Sequence, residues 1–143
     1  MALSYYKIPL NTEKIISNDQ AENCSIERSI NSFVHLIITT HFGEYEPDPS
    51  FGCTIWDIDF DNLTSNNKLR YTIAESISDS LIRHEKRITD ITVNVNIVQD
   101  EYKSNSNYSR VKKRVDIEVV CTIKQTNEIF TCYERFFIAP LAY

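Results

Sequence analysis

A chain of 143 residues, 42% hydrophobic and 24% charged, is the size of one domain and has enough apolar content for a core. Its net charge of −5 argues against a nucleic-acid binder, which usually presents a basic face, and no run of about 18 apolar residues marks a membrane span. The opening "MALSYYKIPL" lacks the regions of a signal peptide, and Cys24, Cys53, Cys121 and Cys132 form no C-x-x-C pair, so a cytoplasmic protein with reduced core thiols is expected.

Residues 1–22 read as an extended or loosely held arm, and residues 23–143 as one domain. Ile26, Ile30, Phe33, Val34, Ile37 and Ile38 recur at helical spacing, with Asn23 as the expected N-cap, Gly43 closing the end and His35 on the flank. A non-helical stretch, "HFGEYEPDPSFGCTIWDIDFDN", follows. "TSNN" then supplies caps for a second helix on Leu69, Ile73, Ile77 and Leu81, running to about His84. Beyond it the period changes to two. Ile91, Val93, Val95 and Ile97 face one way in a first strand, and Val115, Ile117, Val119, Cys121 and Ile123 do so in a second. "IFTCYERFFI" is a third strand, apolar on nearly both faces. The connection "QDEYKSNSNYSR" reads as a long polar loop and "KQTNE" as a hairpin turn. Two helices on one face of an antiparallel three-stranded meander would bury all of these stripes. The expected fold class is therefore α+β, in two layers.

The stretch between the helices holds both glycines and the only tryptophan. Asp57, Asp59 and Asp61 alternate as in a calcium loop, but the positions that need glycine and a bidentate glutamate hold Asn62 and Lys68. No metal and no cofactor are expected. Glu44, Glu46, Asp48, Asp57, Asp59 and Asp61 could in principle supply the carboxylate pair of a glycoside hydrolase, yet nothing in the sequence marks any of them as buried. No nucleophile elbow or phosphate-cradling glycine loop is present. Pro47 and Pro49 restrict Glu46 and Asp48, so the crossing should be stiff and extended, with Phe51, Ile55, Trp56 and Ile58 as anchors to the core or to a partner.

These residues resemble a known pattern. Gly43-Glu44, Pro49, Phe51-Gly52 and the apolar Ile55 and Ile58 fit the "GER…P.FG" segment of the baseplate wedge or sheath-initiator family of contractile tails, with Tyr45 in the arginine position. That family includes the TssE subunit of type VI secretion systems and the small, "lysozyme-like" wedge subunit of T-even phages. A second signature of the family, an aromatic followed by Glu-Pro-Arg and an apolar residue, is similar to His84-Glu85-Lys86-Arg87-Ile88, where His84 and Lys86 depart from it. The resemblance covers roughly residues 23–140.

It implies a non-enzymatic subunit held by other baseplate wedge proteins, whose sheet receives strands from contractile sheath subunits and so starts sheath assembly. A TssE-like component of a type VI secretion system is the reading it favours, cytoplasmic in an assembled baseplate near the inner membrane, with no nucleic acid and no membrane insertion. A wedge subunit of a phage or phage-derived tail is the alternative, and a peptidoglycan hydrolase the alternative of another class. Partner binding is expected at His84, Glu85, Lys86 and Arg87. Read from the residues alone, without that resemblance, Glu85 and Arg87 are instead expected to be a solvent-exposed salt bridge of little worth. Gly43, Glu44, Pro49, Phe51, Gly52 and Trp56 are expected to be structural.

Overall fold

The structure, a computed structural model, describes residues 4–18, 20–57, 65–103 and 109–138. Its elements are β1 (Tyr5–Tyr6), α1 (Thr12–Asn18), β2 (Asn23–Cys24), α2 (Ile26–Thr39), a 3-10 turn (Thr54–Trp56), α3 (Asn66–His84), β3 (Ile88–Lys103), β4 (Ser109–Ile123) and β5 (Glu128–Ile138). The strands β3-β4-β5 form an antiparallel meander in that order, and β1 and β2 form a separate two-stranded pair. Helix α3 lies against β3, while α2 lies against β5 and α3. This is the expected α+β arrangement of two main helices over one face of the meander.

Each main helix starts where a serine can take over an orphan amide. Ser25 accepts from the Arg28 N–H, and Ser65 from the Lys68 N–H, both at 3.3 Å. Asn23, read as the cap of α2, instead belongs to β2. Thr40, not Gly43, ends α2. The apolar stripes of α2 (Ile30, Val34, Ile37, Ile38) and α3 (Leu69, Ile73, Ile77, Leu81) then meet the inner row of the sheet in one core. Val115, Ile117, Val119, Cys121 and Ile123 are all buried in that row, as their alternation requires.

One irregularity explains how two sequence patterns coexist in β3. Ile88 is buried, and so is Ile97, yet they stand at an odd offset, which puts two residues on opposite faces of a regular strand. The register steps from Thr89↔Thr122 to Thr92↔Val120, with Asp90 in the left-handed region at φ 52°. This bulge adds one residue and returns Ile91, Val93, Val95 and Ile97 to the core side.

The "QDEYKSNSNYSR" connection is shorter than its composition suggested, because strand pairing continues to Lys103↔Ser109. The β4–β5 turn closes at Asn127, φ 57°, whose N–H donates to the Ile123 carbonyl at 2.8 Å. The N-terminal residues, read as an arm, contain α1 and the strand β1, which pairs Tyr5 with Cys24 and Tyr6 with Asn23.

Candidate functional site

The segment after α2 folds back over the end of that helix. The Asp48 N–H donates to the Tyr45 carbonyl (3.1 Å), and the Phe51 N–H to that of Asp48 (3.0 Å). The crossing is thus a run of tight turns and not the extended piece expected from its prolines. Proline is well accommodated at the second position of such a turn, where its fixed φ is wanted, and Pro49 stands there in the Asp48–Phe51 turn.

What the turns accomplish is the capping of α2. The Ile38 carbonyl accepts from the Trp56 indole at 3.0 Å and from the Cys53 thiol at 3.2 Å, and the Thr40 carbonyl accepts from the Cys53 N–H at 3.0 Å. These bonds occupy carbonyls that a helix end would otherwise leave orphaned. Gly43, φ 83°, donates its N–H to the Pro49 carbonyl at 3.0 Å, and Glu44 accepts from the His41 N–H at 3.0 Å. Gly52 sits at φ 121° with its backbone against Thr40, so close that a Cβ would stand 2.5 Å from the Thr40 oxygen. Only glycine fits there. Burial raises the Cys53 thiol to about 11.

Phe51 is the centre of an aromatic cluster, edge-on to Phe33 (5.8 Å), Tyr45 (5.8 Å) and His84 (5.2 Å). Beside it lies an open pocket of about 440 Å³ lined by Phe33, Leu36, Thr40, Glu44, Tyr45 and Phe51. Trp56 packs on Phe136 of β5 at 5.9 Å and is half exposed. Asp57 pairs with His41. The remaining calcium-loop positions, Asp59 and Asp61, and the anchor Ile58 lie outside the described residues. Among the described residues no group of three or more His, Cys, Asp or Glu is placed to hold a metal.

The fold brings the second motif to the first. His84, the last residue of α3, places Nε2 3.3 Å from the Ser50 carbonyl oxygen and Nδ1 3.7 Å from an Asp48 carboxylate oxygen. Glu85 follows as the C-cap and is 4% exposed, so the surface salt bridge considered from sequence is corrected. Arg87 donates from Nε to one Glu85 oxygen at 2.8 Å and from Nη2 to the other at 2.6 Å, and its backbone N–H adds a third bond at 3.0 Å. Nη1 reaches Ser29 of α2 at 2.8 Å. The bidentate geometry expected toward a partner is therefore made within the chain, and it joins the end of α3 to the first turn of α2. The Glu85 side chain beside it holds the Arg87 guanidinium above its usual pKa. Lys86 is exposed and donates to the Ile82 carbonyl at 3.4 Å.

Two partners of this pair were not legible from spacing. The Tyr5 ring lies 5.3 Å from the Arg87 guanidinium, and its hydroxyl donates to Gln125 in the β4–β5 turn at 3.2 Å. Ser29 and Tyr5 carry no motif, so only folding reveals them. Elsewhere on the sheet, β5 exposes Ile129, Tyr133 and Phe137 on the face away from the helices.

A family model described as "Baseplate wedge protein gp25" matches residues 24–128. The protein of that name from Enterobacteria phage T4 is 37% identical over 75 residues, a stretch that spans 52% of this chain and 55% of that protein. Two solved structures share the fold. A protein from Geobacter sulfurreducens, provisionally named a tail lysozyme, aligns at TM-score 0.59 and 22% identity over 86% of this chain and all of its own. A chain of the baseplate complex from the type VI secretion system aligns at TM-score 0.53 and 15% identity, over 78% of this chain and 93% of that one. At these identities the likeness concerns the fold.

Proposed function

Since the chain belongs to the baseplate wedge protein gp25 family, we propose that it is a structural subunit of a contractile injection machine that docks among the wedge proteins and starts the sheath by strand pairing. The finer reading is a TssE-like component of a type VI secretion system, supported by the fold shared with a chain of that system's baseplate complex. A wedge subunit of a phage or phage-derived tail is the second reading, favoured by the 37% identity to the phage T4 protein. Docking to the wedge falls to the His84–Arg87 corner. There Arg87, its side chain 28% exposed, and the exposed Lys86 are within a partner's reach, while Glu85 holds the guanidinium in place.

The observation that carries strand pairing is β5. Among the described residues this eleven-residue strand has a neighbour on one side only. Its free edge offers main-chain donors and acceptors, and no proline blunts it. The row Ile129, Tyr133 and Phe137 would continue onto an added strand and set its register.

Among the described residues no carboxyl has the character that the hydrolase reading needs. A glycosidic general acid is a carboxyl whose pKa is raised by burial. Every described carboxyl with a resolved shift (Glu22, Glu27, Asp48, Asp116 and Glu118) is held below its ordinary value. The one buried acid among the described residues, Glu85, accepts from Arg87 through both oxygens.

The decisive experiment places Tyr133→Lys with Phe137→Lys at the native locus and counts fluorescent sheaths, with melting curves of the purified protein beside it. Sheaths should be lost while the melting temperature holds, because both side chains are exposed. Normal sheath counts would overturn strand pairing at β5. Clearing of cell-wall suspensions by the wild type, absent from a heat-killed control, would restore the hydrolase reading.

A further inference from the structure

We propose that the N-terminal segment is a strap that covers the docking face of Arg87 and opens before a partner engages it. The inference rests on the docking role assigned above to Arg87 and adds its regulation. Three observations converge on it.

The first is position. Tyr5 lays its ring over the Arg87 guanidinium and anchors its hydroxyl on Gln125, so it bridges the motif arginine and the β4–β5 turn. With Glu85 bound in the plane of the guanidinium and Ser29 on Nη1, the face beneath Tyr5 is a surface a planar or aromatic partner group could otherwise take.

The second is weak attachment. The strap is held by a two-residue strand pair, one further backbone bond from the Lys7 N–H to the Glu22 carbonyl at 2.9 Å, and the surface pairing of Lys7 and Lys14 with Glu22. Tyr6, Ile8, Leu10 and Ile16 all remain exposed, so the strap buries little apolar surface. A two-stranded ladder this short is marginal in water, and segments with few buried contacts open at low free-energy cost.

The third is extent. The family match begins at residue 24, one residue before the cap of α2, so everything from Tyr5 to Asn23 lies ahead of it. Tyr5, ahead of the matched segment, thus touches a residue of that segment's own motif.

The test uses the full chain and an arginine-selective dicarbonyl, phenylglyoxal, with labelling at each arginine read by mass spectrometry. Tyr5→Ala should speed labelling of Arg87 at least threefold, with the exposed Arg28 and Arg83 as unchanged internal references. Tyr5→Phe keeps the ring and loses the Gln125 bond, so its Arg87 rate should stay near the wild type. Melting curves of both variants establish that the core is intact. Equal Arg87 rates in wild type and Tyr5→Ala would overturn the strap.

A second arm measures co-purification of identified baseplate and sheath subunits from the native host. Tyr5→Ala should raise their yield, and Arg87→Lys should abolish the rise. A yield that falls in Tyr5→Ala would overturn gating and make Tyr5 part of the docking surface. A yield indifferent to Arg87→Lys, with faster labelling in Tyr5→Ala, would sink the docking role of Arg87 and leave the covering by Tyr5 standing.

Discussion

The Nε2 of His84 lies 3.3 Å from the carbonyl oxygen of Ser50, and through this contact the two sequence motifs, 34 positions apart, become one surface. The ring also faces Asp48 and packs edge-on to Phe51. His84 thus makes a ring contact and polar contacts at once.

That junction should show in acid. Asp48 is held below the usual carboxylate range, first by the Ser50 hydroxyl and then by the Ser50 N–H, with His84 contributing. A depressed folded pKa stabilises the fold above the unfolded value of about 3.9 and loses that contribution as pH falls through the lower folded value. Melting curves from pH 7 to pH 3 should therefore show wild type ahead of Asp48→Asn at neutral pH and the gap closing below about pH 4. A gap that stays constant with pH would mean that charge on Asp48 plays no part.

The two glycines should separate by space. Both have positive φ, but a Cβ on Gly43 would meet nothing within 4 Å, whereas one on Gly52 would press on the Thr40 backbone. Gly43→Ala should cost the conformational strain alone, about 1–2 kcal/mol. Gly52→Ala should lower the melting temperature further, since a clash with backbone adds to the strain. Equal losses would show that the Thr40 contact relaxes freely.

Truncating the ion pair should be asymmetric. Arg87→Ala leaves a buried carboxylate without its partner and should cost about 3–5 kcal/mol in a urea titration. Glu85→Ala leaves a guanidinium that is partly exposed and can take water, so its cost should be nearer about 1–3 kcal/mol. The double variant should be less damaged than Arg87→Ala alone. The same loss from both single variants would remove burial of Glu85 as the cause. The low cost expected of a helix-end surface pair does not apply to this geometry.

Thiol chemistry should report the core. Burial, as the leading cause, raises Cys53 to about 11 and Cys132 to about 12, and it raises Cys121 as well. At pH 8 iodoacetamide should alkylate the partly exposed Cys24 in the native protein and the other three only in denaturant. Early modification of Cys53 would show that the cap over α2 opens readily.

Much of this protein follows from its sequence, because period and polarity are local properties. The i, i+4 stripes of α2 and α3 and the alternation Val115–Ile123 each determine a face, and three faces with one common interior allow little besides two helices on a meander. The glycine pair of the "GEYEPDPSFG" turn was likewise legible as backbone demand. What only the tertiary structure decided depends on residues distant in the chain. The caps fell to Ser25 and Thr40 because strand β2 takes Asn23 into its own ladder. The bulge at Asp90 appears because Ile88 and Ile97 must both reach the core across an odd spacing. Most consequentially, Glu85 and Arg87 look like a solvated pair in sequence, since the further partners of Arg87 are Ser29 and Tyr5, which lie 58 and 82 positions from it. Burial and pairing are sums over neighbours in space, and a sequence records only neighbours along the chain.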